Sequence, residues 1–472
     1  MGVLEAAIAT YSIPAIILMG VIGAVSAMLV NRGVAVFHDG LRPVMPEYIE
    51  GRLSRKALAA TSFALSFGLI IGFGIPFSIG LPIILVHTLL LGTDIIGTAC
   101  PDSKKGFYAS AAVGAIYGIG ILLGLESIVS FFNQLPVNFL GNLGKVGSLV
   151  VVTFSLFPAV VVAYQYGYKK GFITLFATII AYVIFQTYGY LSNEGIVRIA
   201  DVAKELKGGI FKVSGDGMAL LMGMGMMFYY AITDKTNKEN NTGANAALVG
   251  LFSERIQRIK DNRWYLVFSG GLTAVAATVG MHLLAEGPVS IQLMQDGLNA
   301  TDSDVASAAF QAALLVSLAR AISFVPLVGT TAITTGVYSP EGMKFVFVAG
   351  IGSSMFLPPV VAEIVAFFLG CIIMYGEIAL LERIAHALDK FPAVKACADH
   401  IRTAITKMLE ISLLAGGIIA GNAIYPGIGA MLIIGLFLLN STAKKPLVAM
   451  AIGPVGVICV GILANILYLF GL

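Results

Sequence analysis

Two stretches of this chain set ion- and solute-binding side chains inside runs that are otherwise apolar. The first is LLLGTDIIGTACPDS, residues 89–103, with Thr93, Asp94 and Thr98 among Gly92, Gly97 and Pro101. The second is FVPLVGTTAITTGVYSP, residues 324–340, with Thr330, Thr331, Thr334 and Thr335 between Pro326 and Gly336. Gly and Pro break helices, and hydroxyls or a carboxylate at a break can bind a cation or hydrogen-bond a polar solute. Thr330, Thr331 and Thr334 fall near one helical face. These seven residues are the expected substrate-binding set, with Asp94 the natural partner of a coupling proton or Na+. The competing account is local: threonine bonds back to its own helix and glycine permits close packing.

Four further places carry charge in or beside apolar runs. Arg320 lies in LLVSLARAISFVPL. A buried guanidinium there would bind a carboxylate or phosphate bidentately; otherwise it snorkels to the interface. Glu363 follows Pro358-Pro359 and could couple a proton or pair with Arg320. Glu286, near the outer end of a span, reads as an interfacial carboxylate. The stretch AVFHDGLRPVMPEYIEGRLSRKA, residues 35–57, puts His38, Asp39 and Arg42 beside two prolines. It reads as a cytoplasmic gate, or simply as Asp39 capping a turn with Arg42 bridging to it.

The composition fixes what must hold these groups. Of 472 residues, 58% are hydrophobic and 12% charged; the net charge is +3 and the mean hydropathy +0.91. Soluble domains carry about 25% charged residues. Disorder, nucleic-acid binding and an ordinary cytosolic enzyme are excluded, and the solvent for this surface is lipid. Cys100, Cys371, Cys397 and Cys459 show no metal-ligand spacing, and the five histidines form no HExxH. There is no Walker loop. No metal, cofactor or enzymatic reaction is expected; His38 with Asp39 is the nearest thing to a catalytic pair.

The fold expected is an all-α polytopic membrane protein with about 11–13 transmembrane helices, including broken half-helices. Clear spans are Ala7–Val30, Leu58–Phe77, Phe107–Leu123, Gly147–Tyr164, Phe172–Tyr190, Met218–Ile232, Tyr265–Leu284 and Leu447–Phe470. Leu81–Cys100, Val305–Glu363 and Ile411–Leu439 are punctuated by Gly, Pro and Thr and read as spans or half-helices. Basic loops 31–57 and 233–263 and segment 382–407 face the cytoplasm by the positive-inside rule, and acidic 285–304 faces outward.

Residues 1–232 form a first half, 233–263 a cytoplasmic connector and 264–472 a second half, with amphipathic surface helices over 380–408. The halves repeat weakly, near 31–125 and 241–360. Asn31-x-Gly33 and Gly40-Leu41 recur as Asn241-x-Gly243 and Gly250-Leu251; Gly92-Thr93, Ile96 and Thr98 recur as Gly329-Thr330, Ile333 and Thr335. Such repeats are the usual skeleton of secondary transporters. A Gly- and Ala-rich face on the first helix (Gly20, Gly23, Ala27) suits helix–helix contact in a homodimer.

Several blocks carry a family resemblance: AVFHDGLRPVMPEYIEG, LGTDIIG, LPVNFLGNLGKVGSLVVVTFSLFP, FVPLVGTTAITTGVY and FPAVKACADHIRTAITKMLE. In this order they resemble blocks of the YhfT family of bacterial inner-membrane proteins. The resemblance implies a multi-pass inner-membrane protein and raises the expectation of transport; it implies no substrate and no site residues. The expected function is secondary transport of a small polar or anionic solute, bound between broken helices near the bilayer midplane, with lipid and the solute as partners. The alternative is the membrane channel of a phosphotransferase-type sugar uptake system, which would need a separate phosphoryl donor.

Overall fold

A computed structural model describes residues 11–78, 83–188, 215–235, 251–388, 391–444, 446 and 449–471. Among them the chain is almost entirely helical. In chain order the helices begin α1 (Ile13–Asn31), α2 (Met45–Ile49), α3 (Arg55–Leu69), α4 (Ile75–Ser78), α5 (Val86–Ala99) and α6 (Lys104–Asn133). There follow α7 (Leu140–Phe154), α8 (Phe157–Tyr166), α9 (Tyr168–Tyr188), α10 (Gly215–Ile232), α11 (Leu251–Asp261), α12 (Arg263–Ala276) and α13 (Pro288–Asn299). The last are α14 (Ser303–Thr335), α15 (Phe345–Phe356), α16 (Pro359–Leu388), α17 (Pro392–Ile424), α18 (Ile428–Thr442) and α19 (Ala449–Leu469). Among the described residues seven helices are long and apolar enough to cross a membrane, and five shorter apolar ones accompany them. This is the all-α polytopic membrane class that composition requires.

The chain forms two compact units, each drawn from separate stretches: Met1–Asn31, Leu53–Phe154 and Thr406–Leu472 in one, Arg32–Arg52 and Ser155–Ile405 in the other. The first repeat block's second copy, Asn241 to Gly250, lies outside the described residues. Leu380–Leu388 are the last turns of α16, and 392–408 the first turns of α17.

In the first unit α1 packs on α6 through backbone. A Cβ at Gly23 would sit 2.2 Å from the Gly114 carbonyl oxygen, and one at Gly118 2.3 Å from that of Met19. Small residues are what let two helices approach this closely in lipid. The Gly20–Gly23–Ala27 face is therefore used inside the chain, which removes the reason for assigning it to a homodimer. The carbonyl end of α5 is closed by side chains: Asn31 donates to Gly97 O at 3.1 Å, and Arg55 Nε to Cys100 O at 3.0 Å. A cation on the last carbonyls also suits the helix dipole.

In the second unit α12 meets α15 and α16 in the same way. A Cβ at Gly350 would lie 2.4 Å from Ala274 O, and one at Gly370 2.6 Å from Gly270 O. The 33-residue α14 has defined ends. Asp302 accepts from the backbone of Asp304 and Val305 at its start, and Gly336 closes it at φ 69°, where a left-handed residue costs glycine little.

The helices are not interrupted at the threonines themselves. Helix α5 runs unbroken through Thr93, Asp94 and Thr98 to Ala99, and α14 runs unbroken through Pro326 to Thr335. The break expected within 324–340 comes only at Gly336. Breaks instead occur at a π-helical turn over Ile70–Gly74, at extended Ile84–Leu85 before α5, and at extended Leu284–Ala285 before α13. A further break separates α17 from α18: α17 ends at Ile424, and Asn422 Oδ1 accepts from Gly427 N at 2.9 Å.

Candidate functional site: a buried charge cluster in the second unit

The loop after α1 builds the cluster. Val36 N donates to Tyr338 O at 2.8 Å and Tyr338 N to Val34 O at 3.0 Å, a short parallel bridge that ties this loop to the one following α14. The chain then turns: His38 O accepts from the amides of Leu41 and Arg42, and His38 Nδ1 accepts from Gly40 N at 2.9 Å. The turn sends Arg42 inward, where it is 2% exposed. Its guanidinium makes three hydrogen bonds and one ion pair. Nε reaches Val36 O at 2.9 Å, Nη2 reaches Phe37 O at 3.1 Å and Asp39 Oδ1 at 2.7 Å, and Nη1 reaches Thr331 Oγ1 at 2.8 Å. Only a planar five-donor fork can do this, so lysine would not substitute.

Thr331 can accept because its own proton goes elsewhere, to Leu327 O at 2.9 Å. Thr334 donates to Thr330 O and Thr335 to Thr331 O. In the first unit Thr93 donates to Leu90 O and Thr98 to Asp94 O. Back-bonding to the helix thus accounts for five of the expected ligands. Among these five, Thr331 also accepts a hydrogen bond from the distant Arg42, while Asp94 and Thr330 are buried on their helices.

The loop from Gly336 to Lys344 brings further charge. Tyr338 OH donates to Glu377 Oε2 at 2.7 Å, the same oxygen that takes Met343 N at 3.0 Å. Ser339 donates to Glu341 Oε2 at 2.6 Å, and Lys344 Nζ stands 3.9 Å from Glu341 Oε1. Lys344 has φ 74°, a left-handed conformation that a non-glycine residue adopts only where its surroundings hold it. Its ammonium lies over Phe324 at 4.8 Å and Phe37 at 5.7 Å. Burial pushes the Lys344 ammonium down and the Glu341 carboxyl up, each toward its neutral form, while their mutual attraction acts the other way. The charges of Arg320, Asp39 and Glu286 also act on Lys344.

Arg320 lies on α14 with its guanidinium over Phe324 at 5.7 Å and against Gly287, where a Cβ would be 3.3 Å from Arg320 Cζ. Glu286 is fully buried, not interfacial, and accepts from Ser290. Glu363 sits apart from Arg320 in its contacts: its Oε1 would lie 3.2 Å from a Cβ at Gly280. Of the expected residues, then, Asp39, Arg42, Thr331 and Arg320 join one charged group.

Comparison of the sequence with known families gives a match to the YhfT family, described as a protein of unknown function, over residues 15–472. The chain belongs to the YhfT family. It is 31% identical over 459 residues to the uncharacterized protein YhfT of Escherichia coli (strain K12), covering 97% of this chain and 98% of that one. No solved structure matches the chain.

Sequence reasoning missed Tyr338, Glu341, Lys344 and Glu377 in this YhfT-family chain. The available signal was the Glu341-x-x-Lys344 spacing within an apolar run, with opposite charges three residues apart. Among the described residues no group of His, Cys, Asp and Glu could hold a metal ion.

Proposed function

We propose that this YhfT-family protein is a secondary transporter of a small polar or anionic solute in the bacterial inner membrane. It binds that solute in the second unit, beside Arg42, Thr331, Arg320 and Lys344. The observation that carries the reading is the convergence of buried and half-buried charges: Arg42 on Asp39 and Thr331, with Arg320 and Lys344 sharing Phe324. Charged residues in membrane proteins are costly and usually mark a solute or ion pathway. Here two cations lie against one ring, an arrangement suited to holding something negative or strongly polar.

The test is substrate counterflow in proteoliposomes, with solutes first selected by thermal shift from a metabolite panel. Wild-type protein exchanges a labelled solute, and Arg320→Gln loses exchange while still inserting and folding. A wild type that exchanges no stabilising solute, or an Arg320→Gln variant that exchanges normally, would refute the reading.

A further inference from the structure

The charges around Lys344 come close to balance. Arg42, Arg320 and Lys344 are positive, and Asp39, Glu286 and Glu341 are negative. Asp39 holds Arg42 at 2.7 Å and Glu341 faces Lys344 at 3.9 Å, while Glu286 adjoins Gly287, the residue against which the Arg320 guanidinium lies. Glu286 is 0% exposed. Its Oε1 accepts from Ser290, which is itself 3.3 Å from Ser317. Its Oε2 is buried with no hydrogen-bond partner among the described residues. A carboxylate has about four acceptor sites, so this one is poorly satisfied as an anion.

Its surroundings are built for negative charge all the same. Glu286 precedes Gly287, the N-cap of the 12-residue α13, whose amino end carries partial positive charge. The Arg320 guanidinium lies against Gly287, where the missing side chain leaves it room. Arg320 and Lys344 flank the Phe324 ring, and the charge of Arg320 works against that of Lys344.

We propose that Glu286 is a proton-exchanging carboxylate that controls an anion site formed by Arg320, Lys344 and the amino end of α13, and that the solute is a small monocarboxylate bound together with one proton. Ionised, Glu286 balances the local cations. A proton taken from water onto its carboxylate leaves one positive charge unmatched, and the solute carboxylate replaces the lost negative charge. Release of the solute returns the proton to water. The charged groups of the cluster that bear on this exchange are Arg320 from α14, Lys344 and Glu341 from the loop before α15, Glu377 from α16, and Asp39 and Arg42 from the loop after α1. The inference deepens the transport reading and rests on it for the site's purpose, but binding can be measured without transport.

Acetate serves as the probe, on purified full-length protein, with chloride at matched ionic strength as control. Wild-type apparent affinity, from the acetate dependence of the unfolding midpoint, should strengthen as pH falls, by up to about tenfold per pH unit for one linked proton. Glu286→Gln should bind acetate with no pH dependence, and Arg320→Gln should lose the response. Infrared difference spectra of the wild type supply a measurement that needs no variant. Acetate added at fixed pH should raise the C=O stretch of a protonated, buried carboxylic acid, because linkage is reciprocal. An equal response to chloride, a pH dependence that persists in Glu286→Gln, or no new protonated-acid band would overturn the proposal. Acetate binding in a protein that exchanges no solute would refute transport and leave this site standing; counterflow with pH-independent binding would do the reverse.

Discussion

The polar turns of α5 and the end of α14 look alike in sequence and differ in what converges on them. Both set threonines among glycines in an apolar run, both are buried, and in both the hydroxyls bond back to their own helix. An arginine attends each. Arg55 serves α5 from outside its end, donating to the backbone carbonyl of Cys100. Arg42 serves α14 from a distant loop, joining a side-chain hydroxyl, a carboxylate and two backbone carbonyls. The first arrangement completes a helix. The second places a buried cation in a group with further charges, so polar residues in an apolar segment become informative only when other elements bring charge to them.

The largest effect should follow removal of that cation. Arg42→Ala leaves the Asp39 carboxylate without its cation and two buried carbonyls without their donor, and should destabilise the protein by about 3–5 kcal/mol, as expected for breaking a buried pair. Arg55→Met removes a cap whose carbonyls Asn31 still partly serves, and should cost only about 1 kcal/mol. Thermal unfolding in one detergent compares the two. A cycle with Asp39→Asn should show the Arg42 loss shrinking once its anion is gone. Equal losses at Arg42 and Arg55 would erase the distinction between the two regions.

The sequence made half of this readable. His38, Asp39 and Arg42 stood out because charge beside two prolines next to a span needs a reason, and Thr331 stood out because hydroxyls in lipid do. Their meeting was hidden, since Arg42 and Thr331 are 289 residues apart and nothing local encodes which loop bridges to which. The continuity of α14 was also misread. Gly and Pro lower helix propensity, but threonine back-bonding and neighbouring helices keep such a helix intact in a membrane. The small-residue face of α1 was correctly seen as a packing surface, yet composition does not say whether its partner is α6 of the same chain or another copy.

The loop carrying Lys344 supplies the next contrast. Gly342 has φ 64°, and a Cβ there would stand 2.2 Å from Glu377 Oε2. Gly51 has φ 74° with nothing within 4 Å. Gly51→Ala should cost about 1–2 kcal/mol, the strain of a left-handed residue alone. Gly342→Ala adds a clash with the carboxylate that holds Tyr338 and Met343, and should cost more, with unfolding at a lower temperature than Gly51→Ala. If the two variants unfold together, Glu377 does not fix this loop.

The smallest effects test the two threonine sets directly. Valine matches threonine in shape and removes only the hydroxyl. At Thr331 that oxygen accepts from Arg42 Nη1 at 2.8 Å, so Thr331→Val strands a buried charged donor and should cost about 1–3 kcal/mol. At Thr98 the hydroxyl only donates to carbonyls of its own helix, Asp94 O at 2.8 Å and Ile95 O at 3.1 Å. The Asp94 carbonyl belongs to a helix whose amides already serve it, so losing the extra donor leaves no buried group alone. Thr98→Val should therefore stay within about 0.5 kcal/mol, the range of substitutions that break no named interaction. Unfolding midpoints of the pair, with Arg42→Ala as background for Thr331→Val, decide the matter. In that background the Thr331 cost should fall to the Thr98 level, because the donor it served is absent. A Thr331 cost that persists without Arg42 would mean that the hydroxyl matters to its own helix, as it does in α5, and the two regions would then be held by the same physics.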